Sequence, residues 1–248
     1  MRSFSPGGAL TLIGVGPWSI MTIMASALQV TVSYAQSVDG RIATATGDSR
    51  YISGPATLKL AQRLRATHDA ILVGIGTALR DDPELTCRLP GRRSPVRVVL
   101  DTHLRLPLES TIVRTAREVP ALVATAPGLA QGEAAASRER LEAAGVRVVP
   151  LPVDGSGRVS ATEVVRFLAG EGLRSLFVEG GGQVITSFLR AGLVDRLVIV
   201  TAPLVIGSGV EAVGDLGIRR LSEALRPERV RVRRVGSDLV WEMELHGA

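Results

Sequence analysis

The chain has 248 residues, 46% hydrophobic and 21% charged, with a formal net charge of +5. That balance excludes a disordered or fibrous polymer, and the length suffices for one large domain or two small ones with a sizeable core. The single cysteine, Cys87, excludes an intramolecular disulfide framework and a multi-cysteine zinc site, and so points to a reducing, cytoplasmic compartment.

Residues 9–28 carry no charge, follow Arg2 and end near Ala25-Ser26-Ala27, a small-residue pattern like that of a secretory cleavage site. Gly14, Gly16 and Pro17 interrupt the run, and Met21 and Met24 are alternative starts. Residues 1–28 therefore read as an N-terminal extension rather than a membrane anchor, and with no polar linker beyond them, residues 29–248 read as one domain.

Val30, Val32 and Tyr34 alternate across Gln29 to Ala35, the period of a strand with one buried face. A polar turn, Gln36 to Arg41, leads to Ile42 and Ala43, and a second loop spans Thr46 to Tyr51. Pro55 opens a helix with Leu58, Ala61, Leu64 and Arg65 at helical spacing, ending before Asp69. Ala70 to Val73 is an apolar strand running through Gly74-Ile75-Gly76 into a turn rich in polar groups, where ligands of open α/β sheets sit. Strands follow at Pro95 to Leu100 and Ala121 to Thr125, then a helix from Glu133 to Ala144 closed by Gly145 and a strand at Val146 to Pro150. Ser160 and Glu163 form a capping box for a helix ending near Gly170. Next come a buried strand at Ser175 to Val178, the loop Glu179-Gly180-Gly181-Gly182, a helix from Gln183 to Ala191 and a strand from Asp195 to Pro203. Arg229 to Val235, a Gly236-Ser237-Asp238 turn and Leu239 to Leu245 make a hairpin whose arginines alternate with valines, so the basic run is expected on a solvated face. Strands alternating with helices, then a hairpin, predict an α/β fold: a mixed sheet with helices on both faces.

All but one of the 29 basic residues are arginines, the exception being Lys59. They are scattered rather than blocked, which excludes a nucleic-acid stripe and suits small phosphorylated ligands held by individual arginines. The strongest local signal is the strand, triple glycine and helix from Ser175 to Ala191. Glycines let the backbone approach a ligand, and the following helix presents free amides and a positive dipole end, the makings of a phosphate site. The plainer alternative is a tight strand-to-helix turn, although three consecutive glycines exceed what a turn needs. Gly74-Ile75-Gly76 is a poor dinucleotide fingerprint, because Leu79 stands where its third glycine belongs. Asp81-Asp82-Pro83 is turn chemistry or a pair of working carboxylates; without a histidine cluster no metal is expected, and Asp81 is assigned hydrogen bonding. Arg65 and Arg88 are candidate clamps for a substrate phosphate, and His68 at a helix end is read as structural.

Four motifs in order, Ser33-Tyr34-Ala35-Gln36-Ser37-Val38-Asp39-Gly40, His68 to Arg88, Val99-Leu100-Asp101-Thr102-His103-Leu104-Arg105 and Val178-Glu179-Gly180-Gly181-Gly182, resemble the pyrimidine reductases of riboflavin biosynthesis. The resemblance covers nearly everything from Gln29 onward. It implies a dihydrofolate-reductase-like fold with a mixed, mostly parallel sheet flanked by helices and a C-terminal hairpin, a homodimer, and NADPH as cofactor. The implied reaction turns the ribosylamino side chain of a phosphorylated aminopyrimidine into ribitylamino, by hydride transfer to C1′ of a ring-opened imine. The wording is closest to the stand-alone fungal and archaeal branch, which acts on 2,5-diamino-6-ribosylamino-4(3H)-pyrimidinone 5′-phosphate. By motif, Ala35, Tyr51, Thr77, Asp81, Thr102 and Gly181, Gly182, Gln183, Val184 and Ile185 are implied to bind the cofactor. Ser49, Arg65, Leu85, Arg88 and Glu179 are implied to bind the substrate, with Glu179 a candidate proton donor beside water and the substrate's own groups. Two departures matter: bacterial enzymes fused to a deaminase carry Lys where Ser33 stands and Trp where Tyr51 stands. These leave open the deaminated substrate, 5-amino-6-(5-phosphoribosylamino)uracil, a same-fold reductase of another heterocycle, and a non-catalytic nucleotide-binding module.

Overall fold

Eleven strands and six helices form over the described residues, 28–129 and 132–245, of this computed structural model. The signal-like reading of residues 9–28 falls, except for Leu28, outside them, as does His246. In chain order the strands are β1 (Gln29–Ser37), β2 (Arg41–Thr44), β3 (Ala70–Gly74), β4 (Val96–Leu100), β5 (Ala121–Thr125), β6 (Arg147–Pro150), β7 (Ser175–Glu179), β8 (Arg196–Ala202), β9 (Gly209–Glu211), β10 (Arg229–Val235) and β11 (Asp238–Glu244). The helices are α1 (Pro55–Thr67), α2 (Ile75–Asp81), α3 (Thr111–Arg114), α4 (Gly132–Ala143), α5 (Ala161–Gly170) and α6 (Gly182–Arg190).

Nine strands make one sheet in the order β10-β11-β8-β1-β7-β3-β4-β5-β6. Pairing is parallel from β8 through β6 and antiparallel where β11 joins β8 and β10 joins β11. The expected α/β class, with a mostly parallel sheet and a C-terminal hairpin, is therefore what the chain adopts. Parallel strands covered on both faces read as unbroken apolar runs. Ala70-Ile71-Leu72-Val73-Gly74 is buried at every position. One face packs Val30, Val32, Leu72 and Val178 against Val164, Leu168, Ile185 and Phe188 of α5 and α6. The other packs Ile71, Val73, Val99 and Phe177 against Leu64 of α1, Ala78 of α2, Ile112 of α3 and Leu141 of α4.

Two features depart from the sequence reading. The turn expected after β3 is the short helix α2, entered through Gly74, where a Cβ would sit 2.7 Å from the Val184 side chain. Ile42 and Ala43 lie in β2, which pairs with β9 in a second, two-stranded sheet. The hairpin forms as read, with its turn at Gly236-Ser237, but its valine face is also exposed: Val230 and Val232, like Trp241 opposite, are uncovered. Arg233 pairs with Glu242, which Arg196 also holds. Ser160 caps α5 by accepting from the Glu163 amide, one half of the predicted box. His68 is structural as expected, its ring spanning the Leu64 carbonyl at 2.7 Å and the Thr31 hydroxyl at 2.9 Å. No described helix is long and apolar enough to cross a membrane.

Candidate active site

The carboxyl ends of β1, β3, β4 and β7 open into one cavity of about 1130 Å³. Parallel strands converge their chemistry there because every loop leaving that edge is followed by a helix start or a return crossing. Of the residues singled out from the sequence, Ala35, Ser49, Arg65, Thr77, Asp81, Leu85, Thr102, Glu179, Gly181, Gly182, Gln183 and Val184 line it. Tyr51, Arg88 and Ile185 do not. Tyr51 stands 86% exposed with φ 63°, and Arg88 lies on the surface paired with Glu84 at 3.1 Å. Ile185 is fully buried, its amide bonded to the Gly181 carbonyl.

The glycine turn is built for close approach. Gly180 and Gly181 take φ of 86° and 81°, a region side chains rarely tolerate. A Cβ on Gly181 would stand 3.2 Å from Thr77 Oγ1, and one on Gly182 would collide with the Glu211 carbonyl. Gly181 caps α6 without a side-chain hydrogen bond, and the first intrahelical amide is that of Ile185. The amides of Gly182, Gln183 and Val184 are thus free to face an anion at the positive end of the helix. These features, a cradle that any side chain would fill beside the Thr77 hydroxyl, fit a dinucleotide pyrophosphate.

Across the cavity, register sets Ser33 of β1 beside Glu179 of β7. Glu179 is gripped by Arg65 of α1: Nε reaches Oε2 at 3.0 Å and Nη2 reaches both oxygens at 2.8 Å, while Nη1 donates to the Thr86 carbonyl at 3.2 Å. The two residues read as separate substrate ligands are therefore a bidentate pair, a geometry no spacing reveals since 114 positions separate them. At the end of β4, Asp101 is fully buried; Oδ2 accepts from the Leu106 amide at 2.8 Å and Oδ1 has no hydrogen-bond partner. Burial pushes this carboxyl above its usual range. It folds Thr102 to Arg105 against the cavity, with Leu104 at φ 54°. Thr102 Oγ1 accepts from the Val159 amide at 3.3 Å. Asp39 clips the next loop: it accepts from the Ser37 hydroxyl and from the amides of Ile206 and Gly207, which hold its carboxyl down to about 2.

Sequence reading missed Tyr34, Arg80, His103, Arg105, Arg158 and Arg190, which also line the cavity. Burial pushes the Tyr34 hydroxyl up to about 12. Arg158 donates to Gln183 Oε1 at 3.1 Å, joining the Asp154–Arg158 turn to the first turn of α6. Of these arginines only Arg105 lies just past a strand end; Arg80 and Arg190 sit in the last turns of α2 and α6, and no local pattern sets them apart from the other arginines. Among the described residues no cluster of three or more His, Cys, Asp and Glu is arranged to hold a metal ion.

The family model of the RibD C-terminal domain matches residues 29–241. The chain is 37% identical over 212 residues to the Riboflavin biosynthesis protein RibD of Aquifex aeolicus, covering 85% of this chain and 56% of that protein. It is 36% identical over 225 residues to the 2,5-diamino-6-ribosylamino-4(3H)-pyrimidinone 5′-phosphate reductase of Methanothermobacter thermautotrophicus, covering 88% and 98% respectively. The chain thus spans about half the length of the bacterial relatives it matches. Among solved structures, the Thermotoga maritima deaminase/5-amino-6-(5-phosphoribosylamino)uracil reductase superposes with a TM-score of 0.70 at 27% identity, covering 88% of this chain and 56% of that one. The Saccharomyces cerevisiae Riboflavin Biosynthesis Reductase Rib7 gives 0.67 at 26%, covering 88% and 90%.

Proposed function

The chain belongs to the RibD C-terminal domain family, a family of riboflavin-pathway reductases, and from that premise we propose that it is an NADPH-dependent reductase of a ribosylaminopyrimidine 5′-phosphate. The observation that carries this reading is the single cavity in which the bare α6 amides and Thr77 face the Arg65–Glu179 pair. One wall suits a pyrophosphate and the other a polar sugar, so two ligands meet over β1 and β7.

NADPH, when bound, supplies a hydride that adds to C1′ of the ring-opened ribosylimine, the nitrogen taking a proton. The protein's share is positioning and electrostatics. Gly181, Gly182, Gln183 and Val184 would hold the pyrophosphate on the helix start, with Ile185 fixing that helix in the core. Thr77 and Asp81, one turn apart on α2, would bind the nicotinamide half, Ala35 would lie beside the ring, and Thr102 would follow the chain towards the adenosine. Ser49, Leu85 and Glu179 would meet the substrate. Arg65 keeps the Glu179 carboxylate aimed inward as an acceptor, and a water beside it or the substrate's own groups would deliver the proton. Tyr51 and Arg88, both outside the cavity in this structure, would join the cofactor and phosphate when the loops around them close.

The proposed substrate is 2,5-diamino-6-ribosylamino-4(3H)-pyrimidinone 5′-phosphate. The 36% identity to the archaeal relative named for that compound supports it, as does Ser33, a small neutral neighbour of Glu179. A second reading, 5-amino-6-(5-phosphoribosylamino)uracil, draws on the 37% identity to a bacterial RibD and on the named Thermotoga structure. Mixing the protein with NADPH and each pyrimidine while following cofactor absorbance tests both. Oxidation with only the deaminated compound would reverse the substrate choice, and oxidation with neither would leave a binding module or a different heterocycle. We take the functional unit as residues 29–248, acting in the cytoplasm as a homodimer, which sedimentation velocity would check.

A further inference from the structure

β4 carries one charged side chain into the interior. Arg97 is 0% exposed, flanked in register by Ile71 of β3 and Ala121 of β5, on the face that packs α1 to α4. Its hydrogen-bond partners are all uncharged. Nη1 donates to Thr115 Oγ1 at 2.7 Å and to the Glu84 carbonyl at 3.4 Å; Nη2 donates to the carbonyls of Thr115, at 3.1 Å, and Val119. Nε has no partner. A buried cation answered only by carbonyls and one hydroxyl is expensive, and an apolar side chain would fill the same space at less cost. What the arginine adds is a second connection between two neighbouring segments.

Those segments are the turn after α3 and the strap of residues 82–86 that follows α2. The strap is tied to α3 at both of the helix's ends. Asp82 accepts from the amide and the hydroxyl of Thr111, each at 2.7 Å, at the start of α3. Arg97 joins Glu84 to Thr115 just past its end. Just past these ties the strap reaches the active-site wall. Leu85 is held at φ 56° with its side chain 2% exposed, and the Thr86 carbonyl accepts from Arg65, whose other nitrogens hold Glu179. The contacts run without a gap from Arg97 through Glu84–Thr86 and Arg65 to the Glu179 carboxylate.

We propose that Arg97 is a positioning residue for the substrate side of the cavity: by pinning the Glu84 carbonyl it sets the Leu85–Thr86 backbone, and through it the place of Arg65 and Glu179. The glycine turn and α6 follow Glu179 in the chain, but no hydrogen bond joins them to Arg97 or to residues 84–86. The kinetic arm of the test rests on the reductase reading above; the exchange arm does not.

The test uses the full chain carrying Arg97→Lys or Arg97→Gln, neither of which spans the same carbonyls. Amide hydrogen exchange without ligand should quicken at Leu85–Arg88 by roughly tenfold, the loss of one charge-assisted bond, while α5 and α6 keep their rates. In turnover, the pyrimidine KM should rise roughly tenfold, with the NADPH KM and kcat held within about twofold. A merely structural arginine would quicken exchange throughout, or lower kcat with both KM values unchanged; either result overturns the proposal, as does failure of both variants to fold. If wild-type protein oxidises NADPH with neither pyrimidine, the reductase reading fails, and the exchange pattern still decides the role of Arg97.

Discussion

Gly182→Ala is the perturbation that the geometry determines most closely. The added Cβ would collide with the Glu211 carbonyl and stand 3.4 Å from that of Ala212, both backbone atoms of β9 and its exit. No flexible side chain is there to yield, so either β9 or the start of α6 must move. Overpacking of this kind costs roughly 1–3 kcal/mol, which lowers the melting temperature by about 2–12 °C in a chain of this size. Moving the start of α6 also misdirects the free amides of its first turn, each worth about 1.5–3 kcal/mol against a charged phosphate, so the NADPH dissociation constant should rise roughly 10- to 100-fold. Gly76→Ala is the internal control: it lines the same cavity in α2, yet its Cβ would meet nothing within 4 Å. Its affinity should stay within about twofold of wild type, with a small gain in melting temperature from helix propensity. Isothermal titration calorimetry with NADPH, alongside thermal melts, reads both. Wild-type affinity in a folded Gly182→Ala protein, or equal losses in the two variants, would refute the placement of the pyrophosphate.

Glu179→Gln leaves Arg65 without its charged partner and should lower kcat/KM for the pyrimidine roughly 10- to 100-fold at unchanged NADPH affinity, the loss of about 1.5–3 kcal/mol from one charged contact; loss of NADPH binding instead would contradict the division of the cavity. Asp39, held down to about 2 by Ser37 and two amides, contributes stability that is fully present above the ordinary carboxyl range near 3.8 and fades as pH falls towards 2. Melting curves of wild type and Asp39→Asn should therefore differ at neutral pH and converge between those values; a constant gap would show that the clip acts without its charge. Because burial pushes the Tyr34 hydroxyl up to about 12, spectrophotometric titration should contain a late phenolate component that Tyr34→Phe removes.

The apolar strands and the triple-glycine turn were legible because each is a local pattern: β3 is buried at all five positions, and its four leading residues are an unbroken apolar run. Helix α2 was not, since Gly74 and Gly76 look like a turn until Val184 is seen packed against the bare Gly74 backbone. Arg97 is one of many scattered arginines in the sequence, and only the sheet order shows that its strand, β4, lies between β3 and β5. Arg65 and Glu179 were each picked out, but as independent ligands; only the crossing of α1 over β7 makes them partners. Tyr51 was selected by motif and Arg88 by residue type as well, and neither encodes which way an exposed loop faces.

The turn of the terminal hairpin does more than reverse the chain. Asp238, 1% exposed, accepts from the Gly54 amide and the Thr57 hydroxyl, each at 2.8 Å, and so closes the start of α1 from 184 positions away. β1 likewise lies between β7 and β8, both of which follow it by well over a hundred residues. During synthesis, then, β1 waits for sheet neighbours that follow it by well over a hundred residues, and α1 waits for a cap 184 positions from its start. Assembly of this sheet is a collective event that waits for distant segments, and until they arrive β1 stands as an exposed edge in need of shielding.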